Sequence, residues 1–403
     1  MPADLRTVLA REGTVLLDAA GRDPDSGASA ARLFTQPRHV RVAATADEVP
    51  GVLAALGADV RAGAWVAGWL AYEAGYALEP RLRALAPRTR SPLAWFGVYD
   101  APVELAREQV AVALAGVGEV GIGPPRFALP PDAYARRIAA VRRHIAEGDV
   151  YQANLTAPLH FRVEGDPLGL YAALRQRQPA PYAAWIAAAG RRVLSLSPEL
   201  FFRIDGDTIT ARPMKGTAPR AADPSEDRRR AEALAADAKN RAENLMIVDL
   251  LRNDLARVAR PGSVRVPALF EVEGYPTVWQ MTSTVEATRC DGVGPADVLG
   301  ALFPCGSVTG APKIRAMELL RELEATPRGV YCGAIGYAGP GEAVFSVPIR
   351  TVELEPDGAA WAATLGLGSG VVWDSVAEEE YAECLLKGRF LTDLLPADAG
   401  VGG

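Results

Sequence analysis

In "ARPMKGTAPR", residues 211 to 220, Lys215 sits between a proline-set turn and a glycine that lets a ligand approach the backbone closely. Most loop lysines are solvated charges, and on this stretch alone that reading competes with a chemical one. In "DSVAEEEYAECLLK", 374 to 387, Glu380 and Glu383 are three apart and share a helix face, with Lys387 a turn further on. Adjacent carboxylates repel unless water or a cation separates them. The stretch is therefore either an exposed helix closed by a Ser375/Glu378 capping box, or part of a site for a hard cation such as Mg²⁺. Glu243, in "RAENLMIVDLLRNDLARV", is either a second source of ligand or half of an ordinary i,i+4 charge pair.

Other chemistries fail on spacing. "GSVTGAPK", 306 to 313, has a glycine turn and a lysine before a helix, but a phosphate loop needs GxxxxGK followed by Ser or Thr, and Ile314 follows here. "GLGSGVV", 366 to 372, reads G-x-G-x-G and runs toward Trp373 rather than opening a βαβ helix, so it is no dinucleotide fingerprint. Its free backbone N–H groups can still hold a carboxylate. Cys290, Cys305, Cys332 and Cys384 are too widely spaced for a CxxC site, and with only three histidines zinc is not expected.

The surrounding chain must position these groups. With 403 residues, 49% of them apolar, it can bury a large core. The net charge of −6 and the interspersed arginines argue against a nucleic-acid or anionic-membrane binder. The charged N-terminus does not read as a secretory signal, nowhere do 18 uncharged apolar residues run together, and a cytoplasmic protein is expected. Residues 115 to 131 collect Gly and Pro and are the best boundary, separating an α+β region at 1–114 from a second part at 132–394, with a flexible tail at 395–403. In the second part, 132 to 149 has helical spacing, "IDGD" is a hairpin turn, and 225 to 259 reads as one long helix with Leu245, Val248, Leu255 and Val258 on its stripe. Strands are expected near 277–287, 332–338, 343–353 and 361–367, and helices near 311–324 and 375–394, an α+β mixture.

"GDVYQANL", "SPELFFRI", "RPMKGT", "AENLMIVDLLRNDL", "FPCGSVTGAPKIRAMELL", "GVYCGAIGYAG", "PIRTVEL" and "GLGSGVVWDS" with "EYAECLLK" occur in this order. Over about residues 130 to 392 they resemble the chorismate-utilising enzymes, while 1 to 114 match more loosely, through "WLAYEAGY" and "PLAWFGVYD". The resemblance implies an α+β fold of two packed β-sheets flanked by helices, the four-layer α/β/β/α sandwich of anthranilate synthase component I, with the site between the sheets and 132–394 as the chorismate-binding catalytic domain. Lys215 stands where anthranilate-forming members have alanine, and Gln152 where the water-adding members have a lysine base. This looks like the branch that makes 4-amino-4-deoxychorismate on the way to p-aminobenzoate and folate.

In that branch the resemblance casts Lys215 as a nucleophile, which must be neutral to act, and Glu199 as the general acid. It implies Glu243 and Glu383 as Mg²⁺ ligands with Glu380 adjacent. Arg350, Tyr331, Thr309, Gln152 and the backbone near Gly368 and Gly370 would then orient chorismate. The sequence departs from the pattern twice. Gln280 replaces a histidine near the leaving oxygen and cannot transfer a proton at neutral pH, and Asn240 replaces an acid one turn before Glu243. No GxCxG nucleophile with a partner histidine is present, so ammonia is expected from solution or from a separate glutamine amidotransferase subunit. "VLLDAA" in place of "LLES" makes inhibition by tryptophan doubtful. The rival readings are an anthranilate synthase component I and a catalytically silent homologue that binds an amidotransferase.

Overall fold

Alternation along the strands decides the layering. In Trp65–Leu70, Ala67 and Trp69 join one apolar cluster while Val66 and Leu70 join another. Val15 and Leu16 divide the same way in Thr14–Asp18, as do Ile186 and Trp185 in Tyr182–Ala188. Successive side chains point to opposite faces, so strands apolar on both faces must be covered on both. The computed structural model, which describes residues 4–21, 30–275 and 278–395, meets that demand with two stacked antiparallel sheets. Between them lies a cluster built on Trp69 stacked on Trp95, with Phe34, Tyr99 and Ile186.

One sheet runs in the order Gly310–Ala311, Gln152–Glu164, Ala360–Val371, Thr351–Asp357, Arg191–Ser197, Tyr182–Ala188, Thr14–Asp18, Ala30–Phe34, Val103–Ala106. The other runs Met214–Pro219, Val278–Thr288, Thr208–Ala211, Leu200–Asp205, Glu342–Ser346, Ala334–Gly339, Trp65–Leu70, Ala94–Tyr99, His39–Ala43. Helices Val49–Arg61, Ala238–Ala256 and Pro295–Leu302 cover the outer face of the second sheet. Pro131–Ala146, Pro167–Arg177 and Ala377–Lys387 cover that of the first, completing the expected four layers. No helix among the described residues is long and apolar enough to cross a membrane.

The boundary at 115–131 does not separate two cores. Thr14–Asp18 pairs with Tyr182–Ala188, and Trp65–Leu70 with Ala334–Gly339, so residues before the boundary extend both sheets. The Gly/Pro stretch itself adds Gly121–Ile122 and Arg126–Phe127 to the long strand Gln152–Glu164. The flexible tail expected from 395 on lies, after Leu395, outside the described residues.

The long helix expected at 225–259 is two helices, Pro224–Ala236 and Ala238–Ala256. Asp237 has an extended backbone between them, and its carboxylate caps the second by accepting from Asn240 N at 2.6 Å. Its buried stripe is Ile247, Val248, Leu251 and Leu255; Leu245, expected inside, is 43% exposed. The "IDGD" hairpin forms as read, with Asp205 opposite Thr208 and Gly206 at φ +55°.

Candidate active site

Where the apolar cluster between the sheets ends, the facing positions become polar. The first sheet presents Gln152 and Asn154, and beside them Gly368 and Gly370, with Gly370 opposite Asn154 in the ladder, while the Ser369 hydroxyl points to the other face and meets Tyr134 Oη at 2.7 Å. The second presents Glu199, just before Leu200–Asp205, and Lys215, on the edge strand Met214–Pro219.

Lys215 is not in a loop. It sits at a register irregularity between Met214 and Thr217, where Gly216 adopts φ +95°. A bulge re-aims side chains, and here the lysine amine crosses toward the opposite sheet. A Cβ on Gly370 would lie 3.4 Å from Lys215 Nζ and would overlap Gln152 Nε2. Glycine at 370 is thus what lets the amide and the amine meet. Burial pushes the Lys215 ammonium below its ordinary pKa; Glu243 opposes that, Lys387 adds to it, and Glu199 and Glu383 oppose it more weakly.

Glu199 is 4% exposed, and its Oε1 has no hydrogen-bond partner. Burial pushes its carboxyl up to about 7, against a hydrogen bond from Ser307 and the charge of Lys215. Its backbone is held by Glu199 N donating to Ser197 Oγ (3.1 Å) and Val347 N donating to Glu199 O (3.1 Å). A carboxyl that titrates near neutrality and a lysine with a weakened hold on its proton therefore sit on the same sheet within electrostatic reach of each other.

The glutamates form a third group. Burial raises the Glu243 carboxyl, Lys215 and Lys239 lower it, and Glu380 and Glu383 raise it again. The Ser375/Glu378 capping box does not form. Val376 is the helix N-cap, and Ser375 Oγ instead donates to Glu380 Oε1 at 2.6 Å, drawing that carboxylate inward to 9% exposure. Glu383 is exposed and pairs with Lys387 Nζ at 2.6 Å, while Lys387 also donates to Gly368 O at 2.8 Å. Among the described residues the only trio with ligand atoms mutually within 4.8 Å is His144, Glu147 and Asp149, so the three glutamates do not form a closed cage. Mg²⁺ does not need one, because it keeps several waters and takes only one or two protein carboxylates; mutually repelling oxygen donors suit it chemically.

Arg350 has φ +54°, burial lowers its pKa, and no carboxylate among the described residues offsets that loss. A half-buried guanidinium without a counter-ion among the described residues suits an anionic ligand. Tyr331 is 7% exposed and packs on Gly366, where any Cβ would overlap its ring. Two residues expected to face substrate are engaged elsewhere. Gln280, read as standing near the leaving oxygen, donates from Nε2 to Gly216 O (2.8 Å) and accepts at Oε1 from Thr217 Oγ (2.9 Å), which pins the bulge carrying Lys215. Thr309 is fully buried, and its hydroxyl donates to Cys305 O and Gly306 O, closing its own turn. Asn240 packs against Gly216. The sequence reading missed Ser307 and the backbone tie of Lys387. The i,i+4 spacing of Lys387 from Glu383 was a visible signal, whereas Ser307 meets Glu199 only through tertiary packing.

A sequence profile of chorismate binding enzymes matches residues 118–393. Among curated proteins, the chain is 46% identical over 278 residues to the aminodeoxychorismate synthase of Streptomyces pristinaespiralis, covering 68% of this chain and 38% of that one. It is 44% identical over 251 residues to aminodeoxychorismate synthase component 1 of Salmonella typhimurium (62% and 54%). It is 43% identical over 251 residues to anthranilate synthase component 1 of Haloferax volcanii (62% and 48%). The chain thus spans from 38% to 54% of these relatives' own lengths. Among solved structures, anthranilate synthase component I from Streptococcus pneumoniae superposes with a TM-score of 0.76 at 25% identity, covering 89% of this chain and 91% of that one.

Proposed function

Since the chain belongs to the chorismate binding enzymes, we propose that it aminates chorismate at C4, using ammonia and Mg²⁺, to give 4-amino-4-deoxychorismate. The observation that carries this reading is Lys215 Nζ, set over Gly370 beside Gln152 and within electrostatic reach of the protonatable Glu199, whose Oε1 has no hydrogen-bond partner. Replacing an allylic hydroxyl with retained configuration needs two displacements and an enzyme nucleophile between them.

The neutral Lys215 amine attacks C2. The C1=C2 bond shifts to C1=C6, C5=C6 shifts to C4=C5, and the C4–O bond breaks. Glu199 gives its proton to the departing oxygen, which leaves as water. Ammonia then attacks C4, the double bonds return, and the C2–N bond releases Lys215 as a neutral amine. The new C4 ammonium returns a proton to the Glu199 carboxylate, so both groups end as they began. Arg350 takes a substrate carboxylate, and Gln152 and Tyr331 bound the ring. Glu243 and Glu383, with Glu380 adjacent, would hold Mg²⁺, which neutralises the ring carboxylate when bound. Ammonia comes from solution or from a separate amidotransferase subunit, and the product serves p-aminobenzoate formation.

The test is the purified chain with chorismate, Mg²⁺ and excess ammonium from neutral to alkaline pH, with the product identified by mass and NMR. The expected product is 4-amino-4-deoxychorismate. Anthranilate, the C2-amino isomer or unconverted chorismate would overturn the reading.

A further inference from the structure

Two irregularities of the second sheet meet at Thr282 and Ser283, on the strand Val278–Thr288. On one side the register slips between Met214 and Thr217, the bulge that carries Lys215, with Met214 opposite Thr282 and Ser283 N donating to Pro213 O at 3.2 Å. On the other, Arg265–Gly274 slips between Ala268 and Glu271, and Phe270 inside that slip has φ +61°. A bulge leaves backbone groups out of the ladder, and Phe270 N finds Ser283 Oγ instead, at 3.0 Å. The same hydroxyl donates to Asn244 Oδ1 at 2.5 Å, and both residues are fully buried. Asn244 Nδ2 has no hydrogen-bond partner, so this bond is the amide's polar hold. Asn244 lies on the helix Ala238–Ala256, one residue after Glu243. The helix rests on both slips there: Asn240 packs against Gly216, and the Arg241 guanidinium carbon lies 4.5 Å from the Phe270 ring centroid.

We propose that the Ser283–Asn244 hydrogen bond positions Glu243 toward Mg²⁺, by fixing the roll and height of this helix on the sheet and with them the direction of the neighbouring carboxylate. The inference rests on the reading of Glu243 as a metal ligand. A helix spends its backbone hydrogen bonds on itself, so side chains set its register on a sheet. Consecutive helical side chains stand about 100° apart, and any roll that moves Asn244 turns Glu243 with it. The apolar stripe of Ile247, Val248, Leu251 and Leu255 lies beyond Glu243 in the chain, and apolar burial is non-directional, whereas a hydrogen bond weakens steeply off line. Mg²⁺ demands near-ideal octahedral geometry, so a turned carboxylate costs affinity.

The experiment compares Asn244→Leu, Ser283→Ala and the double variant with Glu243→Gln, each in the full chain. The probe is Mn²⁺, its binding read by electron paramagnetic resonance without substrate and again with chorismate in the absence of ammonia; urea unfolding records stability separately. Asn244→Leu is close in shape, removes the buried unpartnered Nδ2 and leaves Phe270 N on Ser283. A purely structural role therefore predicts at most a shifted unfolding midpoint, with an unchanged Mn²⁺ Kd in the folded protein. Expected instead is a Kd higher by about tenfold in each single variant. The double variant should bind no more weakly than the worse single one, since both substitutions remove the same bond. A wild-type Kd in Asn244→Leu, or losses that add in the double variant, would overturn the positioning role while Glu243→Gln still weakens Mn²⁺ binding. If Glu243→Gln also binds as wild type does, or if the wild type binds no Mn²⁺ in either condition, the metal-ligand reading falls and takes this inference with it. Should one single variant fail to fold, the other decides on the same criterion.

Discussion

Replacing Glu199 with glutamine should make the protein more stable and less active, with the stability gain confined to high pH. Burial raises this carboxyl from 4.5 to about 7, which corresponds to about 3 kcal/mol against its charged form. The sign follows from linkage. A carboxyl whose folded pKa exceeds its unfolded pKa contributes stability that is fully present below about 4.5 and is lost as pH rises through about 7. The wild type should therefore carry a penalty approaching about 3 kcal/mol at about pH 8.5 that is nearly absent at about pH 4.5. Glutamine has the same shape and no charge, so it should lift the penalty at high pH and change little at low pH. Urea unfolding of both proteins at the two pH values measures this directly. The activity of the variant should fall by about 10²- to 10⁴-fold, because the leaving oxygen loses its proton donor. If Glu199→Gln were equally destabilising at both pH values, the carboxyl would not be held in its neutral form, and its role as acid would fall with that.

Lys215→Ala should keep chorismate binding and lose turnover to the 4-amino product, or release the C2-aminated isomer. Wild type with chorismate but no ammonia should show by peptide mapping a substrate-derived mass on the 213–220 peptide, and wild-type formation of 4-amino-4-deoxychorismate by Lys215→Ala would exclude the covalent step. The rate should rise with pH as the Lys215 ammonium, its hold weakened by burial, loses its proton, and fall above about 7 as Glu199 ionises; a monotonic pH–rate profile would contradict that pairing. A chelator should abolish activity and added Mg²⁺ restore it, with Glu243→Gln weakening metal and chorismate binding together, whereas full activity in excess chelator would remove the metal from the reaction. Gly370→Ala should raise the chorismate KM by about tenfold, the equivalent of ~1.4 kcal/mol, since the methyl must displace the buried Gln152 amide; a KM like wild type would show that Gln152 yields freely.

Local and near-neighbour features were legible in the residues themselves. Strands expected near 277–287, 332–338 and 361–367 form as Val278–Thr288, Ala334–Gly339 and Ala360–Val371, the Asp205–Thr208 hairpin followed from its turn residues, and the i,i+3 placement of Glu380 and Glu383 was set once a helix was assigned. The ordered motifs pointed to the same family that the profile match and the shared fold show. Other outcomes depended on which segments met. The apparent loop at Lys215 is a bulged edge strand because Val278–Thr288 lies beside it, and Ser375 reaches Glu380 rather than closing a capping box. Gln280 and Thr309 turned to backbone partners that no spacing reveals. The segment before residue 115 has its own strand pattern, but only pairing with strands more than 100 residues away makes it part of both sheets. Sequence thus determined residue types, periodicities and the chemistry each group could offer. Tertiary structure alone decided which of those groups lose water and which face one another, and a carboxyl near 7 beside a weakened ammonium exists only where burial and proximity coincide.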